Sequence, residues 1–179
     1  MSRPVIMVDY DPAWPILYEA EKQRILKAIG NKVLAIEHIG STAVPNLWSK
    51  PIIDMMAGVL CSTDAEDCVR LLQSLDYLDV TPQPGELDWH YCLGKKYAGE
   101  AASLQNYHLH LVRFMSDHWK KHLLFRDFLR NHPEVAQEYR ELKRQLAAEY
   151  GSDRVGYTAA KTRFIESVIT RARADIRTP

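Results

Sequence analysis

The hydrophobic pattern divides the chain near residue 115. Before that point short apolar runs switch between helical and strand-like periods, and from Asp117 onward the period is helical. A short extended segment over 4–8 leads into Tyr10-Asp11-Pro12-Ala13-Trp14, which predicts a helix capped by Asp11, with Pro12 in its first turn and a stop at Gly30. Lys32 to Ile39 reads as a strand. So does Pro51 to Val59, rich enough in Ile and Met for burial on both faces. A helix over about 64–74 carries Val69, Leu71, Leu72 and Leu75 on one side. Strands are predicted at Tyr77–Val80, Leu87–Leu93 and Tyr107–Phe114, separated by Pro82-Gln83-Pro84-Gly85 and by the loop from Gly94 to Gln105. Helices follow over about 117–130, over 133–150 ending at Gly151, and from a Ser152/Asp153 cap onward. The last places Val155, Thr162, Ile165, Val168, Ile169 and Ala172 at helical spacing.

This pattern gives an α/β body over 1–115 and a three-helix tail over 116–179. The joint at Met115-Ser116 is too short for a flexible linker, so the tail is expected to cover the body within one domain. A chain of 179 residues suits one compact unit. At that size it buries roughly 70% of its unfolded surface and needs no disulfide or metal to fold. The 23 basic and 23 acidic residues balance, which gives no strong nucleic-acid signal and no pull toward anionic membranes, while leaving room for a local basic groove. Cys61, Cys68 and Cys92 form no Cys-x-x-Cys pair and point to reduced thiols in a cytoplasmic setting. No apolar run approaches the ~20 residues that span a bilayer.

Three constellations carry candidate chemistry. Gly40-Ser41-Thr42 follows a predicted strand; glycine allows close approach, and Ser41 with the next amides can cradle a phosphate at a short helical turn. The same residues also suit an ordinary turn with Ser41 as cap, and Asn46 suits a left-handed position in the loop. Asp54 sits between Ile52-Ile53 and Met55-Met56, where a carboxylate must pair with Lys50 or a histidine, or else hold a metal or ligand. His108 and His110, two apart on a strand, share a face. They can bind metal, contact phosphate, act as base, or simply hydrogen-bond. Beside Asp54 they would make a His-His-Asp cluster. His38, His90, His118, His122 and His132 are scattered and receive no role. In the tail, Tyr139 with Lys143 and Tyr157 with Lys161 are i,i+4 pairs. With Arg126 these lysines can form a phosphate-binding lid, or they are solvated faces with Tyr at the core edge.

The blocks Tyr10-Asp11-Pro12-x-Trp14, His38 to Pro45, Lys50 to Asp54, His108-Leu109-His110, Phe125-Arg126-Asp127 with Leu129-Arg130, and Tyr157-x-x-x-Lys161 stand in the order found in the GrpB family. The resemblance covers nearly the whole chain, and the family is similar to a domain fused to some dephospho-CoA kinases. It implies a nucleotidyltransferase-like fold, a mixed β-sheet flanked by helices, as in DNA polymerase β and the aminoglycoside nucleotidyltransferases. That superfamily places Asp-x-Asp or Asp-x-Glu about a dozen residues after a Gly-Ser turn; here twelve residues separate Ser41 from Asp54. Met56 takes the place of the second acid, and a thioether does not bind Mg²⁺, which takes oxygen ligands. His108 or His110 replaces the third acid, a substitution that suits a softer metal held by Asp54, His108 and His110.

The resemblance therefore implies a nucleotide or phosphate pocket at Gly40, Ser41, Thr42 and Lys50, with Arg126, Lys143 and Lys161 neutralising phosphates. In one reading it is an enzyme transferring a nucleotidyl group to an acceptor, using a nucleoside triphosphate and a divalent metal (Mg²⁺, Mn²⁺ or Zn²⁺). Asp54 and His110 would then be catalytic. In an alternative reading the chain binds a small phosphorylated ligand without turnover and assists a protein partner. A third reading, resting on the His-x-His pair alone, is metal-dependent hydrolysis.

Overall fold

A computed structural model describes residues 7–80, 90–96, 106–150 and 153–177. The helices are α1 (Trp14–Ile29), α2 (Ser62–Leu72), α3 (Asp117–Asn131), α4 (Pro133–Tyr150) and α5 (Arg154–Arg177). The strands are β1 (Ala35–Ile39), β2 (Ile52–Val59), β3 (Leu78–Asp79), β4 (Tyr91–Lys96) and β5 (Asn106–Arg113). They form one sheet in the order β1-β2-β5-β4-β3. Only the central pair β2–β5 is parallel, so the sheet is mixed.

The elements start and stop for local reasons. Asp11 does not cap α1; its Oδ1 accepts from Ala13 N at 2.8 Å and its carbonyl from Trp14 N at 3.0 Å, forming a turn one step before the helix. Pro15, not Pro12, lies within the first helical turn, where a missing N–H costs nothing. Ser116 caps α3, accepting from Trp119 N at 3.2 Å. Asp153 serves α5, accepting from Gly156 N at 3.0 Å. Asn46 takes a left-handed φ of 62°. Part of the predicted 4–8 segment, the start of the predicted strand Leu87–Leu93, most of the two loops around it, Gly151 and Ser152 lie outside the described residues.

Each sheet face is covered. On one, Ile53, Met55, Ala57, Leu109, Leu111 and Leu93 pack against Trp14, Ile25 and Ile29 of α1 and Ala65, Cys68 and Leu72 of α2. That layer also buries an ion pair, Lys95 Nζ to Glu21 Oε1 at 2.7 Å, with the Tyr77 hydroxyl donating to Glu21 at 3.1 Å. On the other face, Ile39, Met56 and Val112 pack against Trp119 of α3. Further along α3, its residues Phe128 and Leu129 join Val135 and Tyr139 of α4 and Val168 and Ala172 of α5, closing over Val44 and Leu47. The tail thus lies on the sheet through α3 and on the loop after β1 through α4 and α5.

Candidate functional site

Two strands set the site. The parallel register places Asp54 beside His108 and Met56 beside His110. From β1, Ile39 lies opposite Asp54 and Glu37 opposite Met56. Alternation turns all of these to the face covered by α3. His108 Nδ1 donates to Asp54 Oδ1 at 3.2 Å. A histidine, one of the partners open to Asp54 in the sequence, thus contacts the carboxylate.

The chain leaves β1 at Gly40, with φ 71° and ψ −172°, a region essentially confined to glycine. A Cβ there would lie 2.5 Å from Asp54 Oδ2, so the residue is glycine for its backbone and for its neighbour. Ser41–Ala43 then forms a single 3₁₀ turn. Thr42 clamps it to β2, donating from Oγ1 to the Ile52 carbonyl at 2.9 Å. That commits the hydroxyl proton, so His38 Nε2–H must donate to Thr42 Oγ1, at 3.1 Å. His38 is stacked on Tyr18 with centroids 4.7 Å apart. Burial, helped by the Arg130 and Arg126 charges, holds its pKa down to about 4, so it serves as a neutral donor. Arg126 braces the turn from behind: it donates to Glu37 Oε2 at 2.7 Å, to the His38 carbonyl at 3.0 Å and, through Nε, to Asp127 at 2.7 Å.

Over Asp54 opens a cavity of about 210 Å³, walled on the sheet side by Ser41, Thr42, Ser49, Lys50, Asp54 and His108, and on the helix side by Lys143, Tyr157 and Lys161. The lysines rest on rings. Tyr157 lies beneath both Lys50 Nζ (5.1 Å) and Lys161 Nζ (4.5 Å), and Tyr139 beneath Lys143 Nζ (4.9 Å). Lys143 donates to Ser41 Oγ at 3.2 Å and to the Trp48 carbonyl. Burial, reinforced by the neighbouring Lys161 charge, pulls Lys143 down to about 7. Burial and Lys50 pull Lys161 to about 8, against the attraction of Asp54. Three ammonium groups thus surround one carboxylate. Ser49 is 2% exposed, and its Oγ has no hydrogen-bond partner among the described residues.

Of the residues singled out in the sequence, Ser41, Thr42, Lys50, Asp54, His108, Lys143 and Lys161 line this cavity, and Gly40 abuts Asp54. Arg126 and His110 do not line it. His110 Nδ1 instead meets His90 Nε2 at 3.0 Å. The His90 ring lies 4.6 Å from that of His118, which stacks on His122 at 4.2 Å. Burial holds His110 to about 4 and His118 to about 3, with mutual repulsion among the rings adding to it. Among the described residues no group of three His, Cys, Asp or Glu side chains is placed to hold a metal ion. The Asp54, His108 and His110 set does not assemble, because His108 turns to Asp54 whereas His110 turns to His90. Asp54 and His108 remain a two-donor pair. Met56 is fully buried against Ile39, Val112 and Trp119, a core role at the position of the second acid. Ser49 and the histidine row were not legible as site features, since nothing in their local spacing marks them. Tyr139 and Tyr157 carried the i,i+4 signal, and their rings turn out to seat the lysines.

One prediction follows from Lys143. In the unfolded chain this lysine titrates near its ordinary value, and in the folded chain near 7. Between those values the unfolded state binds more protons, so stability rises with pH from about 7 toward 10 and is lost on the way down. Denaturant melts at pH 7, 8 and 9 should show that rise in the wild type and a flatter profile in Lys143→Met. Equal slopes would mean that Lys143 keeps its proton in the fold.

The profile of the GrpB protein family matches residues 4–171. The chain belongs to the GrpB family. It is 37% identical over 169 residues to a UPF0157 protein of Pseudomonas aeruginosa, spanning 94% of this chain and 68% of that one. The crystal structure of the conserved protein GrpB from Enterococcus faecalis superposes on this GrpB-family chain with a TM-score of 0.79 at 30% identity, covering 96% of this chain and 99% of the other. A dephospho-CoA kinase of Mycobacterium bovis is 26% identical over an alignment of 187 positions that covers 94% of this chain and 46% of the kinase. Among the described residues no helix is long and apolar enough to cross a membrane.

Proposed function

We propose that the cavity over Asp54 binds the phosphates of a nucleotide. The observation that carries this reading is the gathering of Lys50, Lys143 and Lys161 around one cavity, with Lys143 on Ser41 at the Gly40 turn and the hydroxyl of Ser49 without a partner among the described residues. Burial and a neighbouring lysine charge lower the pKa of Lys143 and of Lys161, and both gain a counter-charge when an anion enters. Ser41 and Ser49 supply hydroxyls to phosphate oxygens. Among the described residues Asp54 is the one carboxylate at the cavity wall. Mg²⁺ commonly binds through one or two carboxylates together with substrate phosphates. The likeness to a dephospho-CoA kinase adds support for a nucleotide-related role.

The test is thermal unfolding with nucleoside triphosphates, with and without Mg²⁺, Mn²⁺ and Zn²⁺. A ligand at about 100 times its Kd adds roughly 2.7 kcal/mol, a shift of several degrees. Lys161→Gln should lose the shift, and Asp54→Ala should lose the part that depends on metal. No shift with any triphosphate would overturn the reading.

Two finer readings remain, binding alone and nucleotidyl transfer. Met56 favours binding alone, because phosphoryl-transfer sites balance their metals with clustered carboxylates, and its side chain is committed to the core. Release of pyrophosphate from a bound triphosphate in the presence of an acceptor would reverse that preference.

A further inference from the structure

We propose that the ligand's phosphates carry a flat, uncharged body, the nucleoside of a nucleotide, and that this body lies in the groove between α3 and α5. The inference rests on the phosphate reading of the lysine cavity. The groove measures about 600 Å³ and meets that cavity at Ser41, which lines both. The two helices that supply the lysines supply the groove as well. On α4, Tyr139 lines the groove and Lys143, one turn later, lines the cavity; on α5 the consecutive residues Lys161 and Thr162 divide the same way. A ligand seated at Ser41 Oγ therefore reaches both spaces.

The groove is built for an uncharged occupant. Its floor is Phe125 and Leu129 of α3 with Ile165 and Ile169 of α5. The Tyr139 ring forms its inner wall, fixed by stacking on Phe164 at 5.2 Å and by an edge contact with Phe125 at 5.3 Å. With Lys143 also over this ring, Tyr139 offers an occupant a pre-set apolar boundary and not a free stacking face. The two cations at the mouth are matched by two carboxylates: Asp117 takes Lys121 at 2.6 Å and Arg173 at 3.1 Å, and Glu166 lines the same groove. They do not call for an anionic occupant. Glu166 and Thr170 add polar acceptors at the rim, suited to amino and hydroxyl groups of a base or ribose. An inorganic phosphate would leave all of this apolar surface wet, whereas a nucleoside covers it.

Calorimetry compares inorganic triphosphate with adenosine and guanosine 5′-triphosphates. The proteins are wild type, Ile165→Trp, Thr170→Trp and Lys161→Gln, each checked for a wild-type far-UV spectrum. At least one nucleotide should bind the wild type about tenfold or more tightly than inorganic triphosphate. The two Trp variants fill the groove, one from a half-buried and one from an exposed position. Both should abolish that advantage and leave inorganic triphosphate unchanged. Lys161→Gln should weaken both probes alike, by about tenfold to a hundredfold. Equal affinity of the two probes in the wild type, or nucleotide binding untouched in Thr170→Trp, overturns the groove assignment while the lysine cavity stands. An alkyl phosphate that binds as tightly as the nucleotide overturns the nucleoside in favour of an acyl or alkyl chain. If neither triphosphate nor nucleotide binds the wild type, the cavity reading fails and takes this one with it.

Discussion

Replacing Glu21 by alanine is expected to cost the fold about 3–5 kcal/mol, the range for removing one partner of a buried ion pair. Its side chain is 3% exposed and that of Lys95 6%, at a separation of 2.7 Å. Burial and the Glu21 charge push the Tyr77 hydroxyl far above its ordinary value, so it stays a donor to that carboxylate. Without Glu21 the Lys95 ammonium keeps, among the described residues, the faces of Tyr77, at 5.4 Å, and Tyr107, at 5.9 Å. For a chain of this length the loss corresponds to a fall in Tm of about 10 °C. Thermal melts measure it. A double variant, Glu21→Leu with Lys95→Met, should recover most of the loss, because apolar residues of similar volume replace such pairs at little cost. A single-variant loss below about 1 kcal/mol, the range of exposed pairs, would mean that water reaches the pair.

Gly40→Ala is the second large effect. The backbone conformation alone costs a residue with a Cβ about 1–3 kcal/mol. The new Cβ would also sit 2.5 Å from Asp54 Oδ2 and 3.0 Å from its Cβ, so the carboxylate must move away from His108 and the cavity. The variant should lose stability and triphosphate binding together, with Ser41→Ala as the comparison that alters the turn's hydroxyl and not its backbone. Wild-type stability and binding in Gly40→Ala would show that the turn relaxes without disturbing Asp54.

The sequence marked the parts of the site that local spacing governs. A Gly-Ser turn twelve residues before a carboxylate in an apolar strand leads to the observed contact between Gly40 and Asp54. The i,i+4 Tyr–Lys pairs lead to the lysines seated on Tyr139 and Tyr157. What stayed hidden depends on pairing between distant segments. Glu21 and Lys95 are 74 positions apart, Glu37 and Arg126 are 89 apart, and neither pair has a local signature. Arg126 was expected among the phosphate ligands and stands behind the turn because of that second pair. Alternation placed His108 and His110 on one face, but only the β2–β5 register and the position of His90 decide that the first meets Asp54 and the second another histidine. The start of α1 was misplaced because Pro12 and Pro15 offer the same first-turn signal, and the turn made by Asp11 selects the later one.

The cavity's two walls come from widely separated parts of the chain, Ser41, Lys50, Asp54 and His108 on one side and Lys143, Tyr157 and Lys161 on the other. During synthesis the sheet residues emerge before α4 and α5, and a sheet without those two helices offers an anion only Lys50 of the three lysines. An anion held by both walls works as a reversible cross-link, tightening the seat of α4 and α5 by as much as their seating tightens its grip. On the proposed function, occupancy would be a readout of how far the chain's assembly has gone, and loosening α5 would release the ligand without disturbing a single strand.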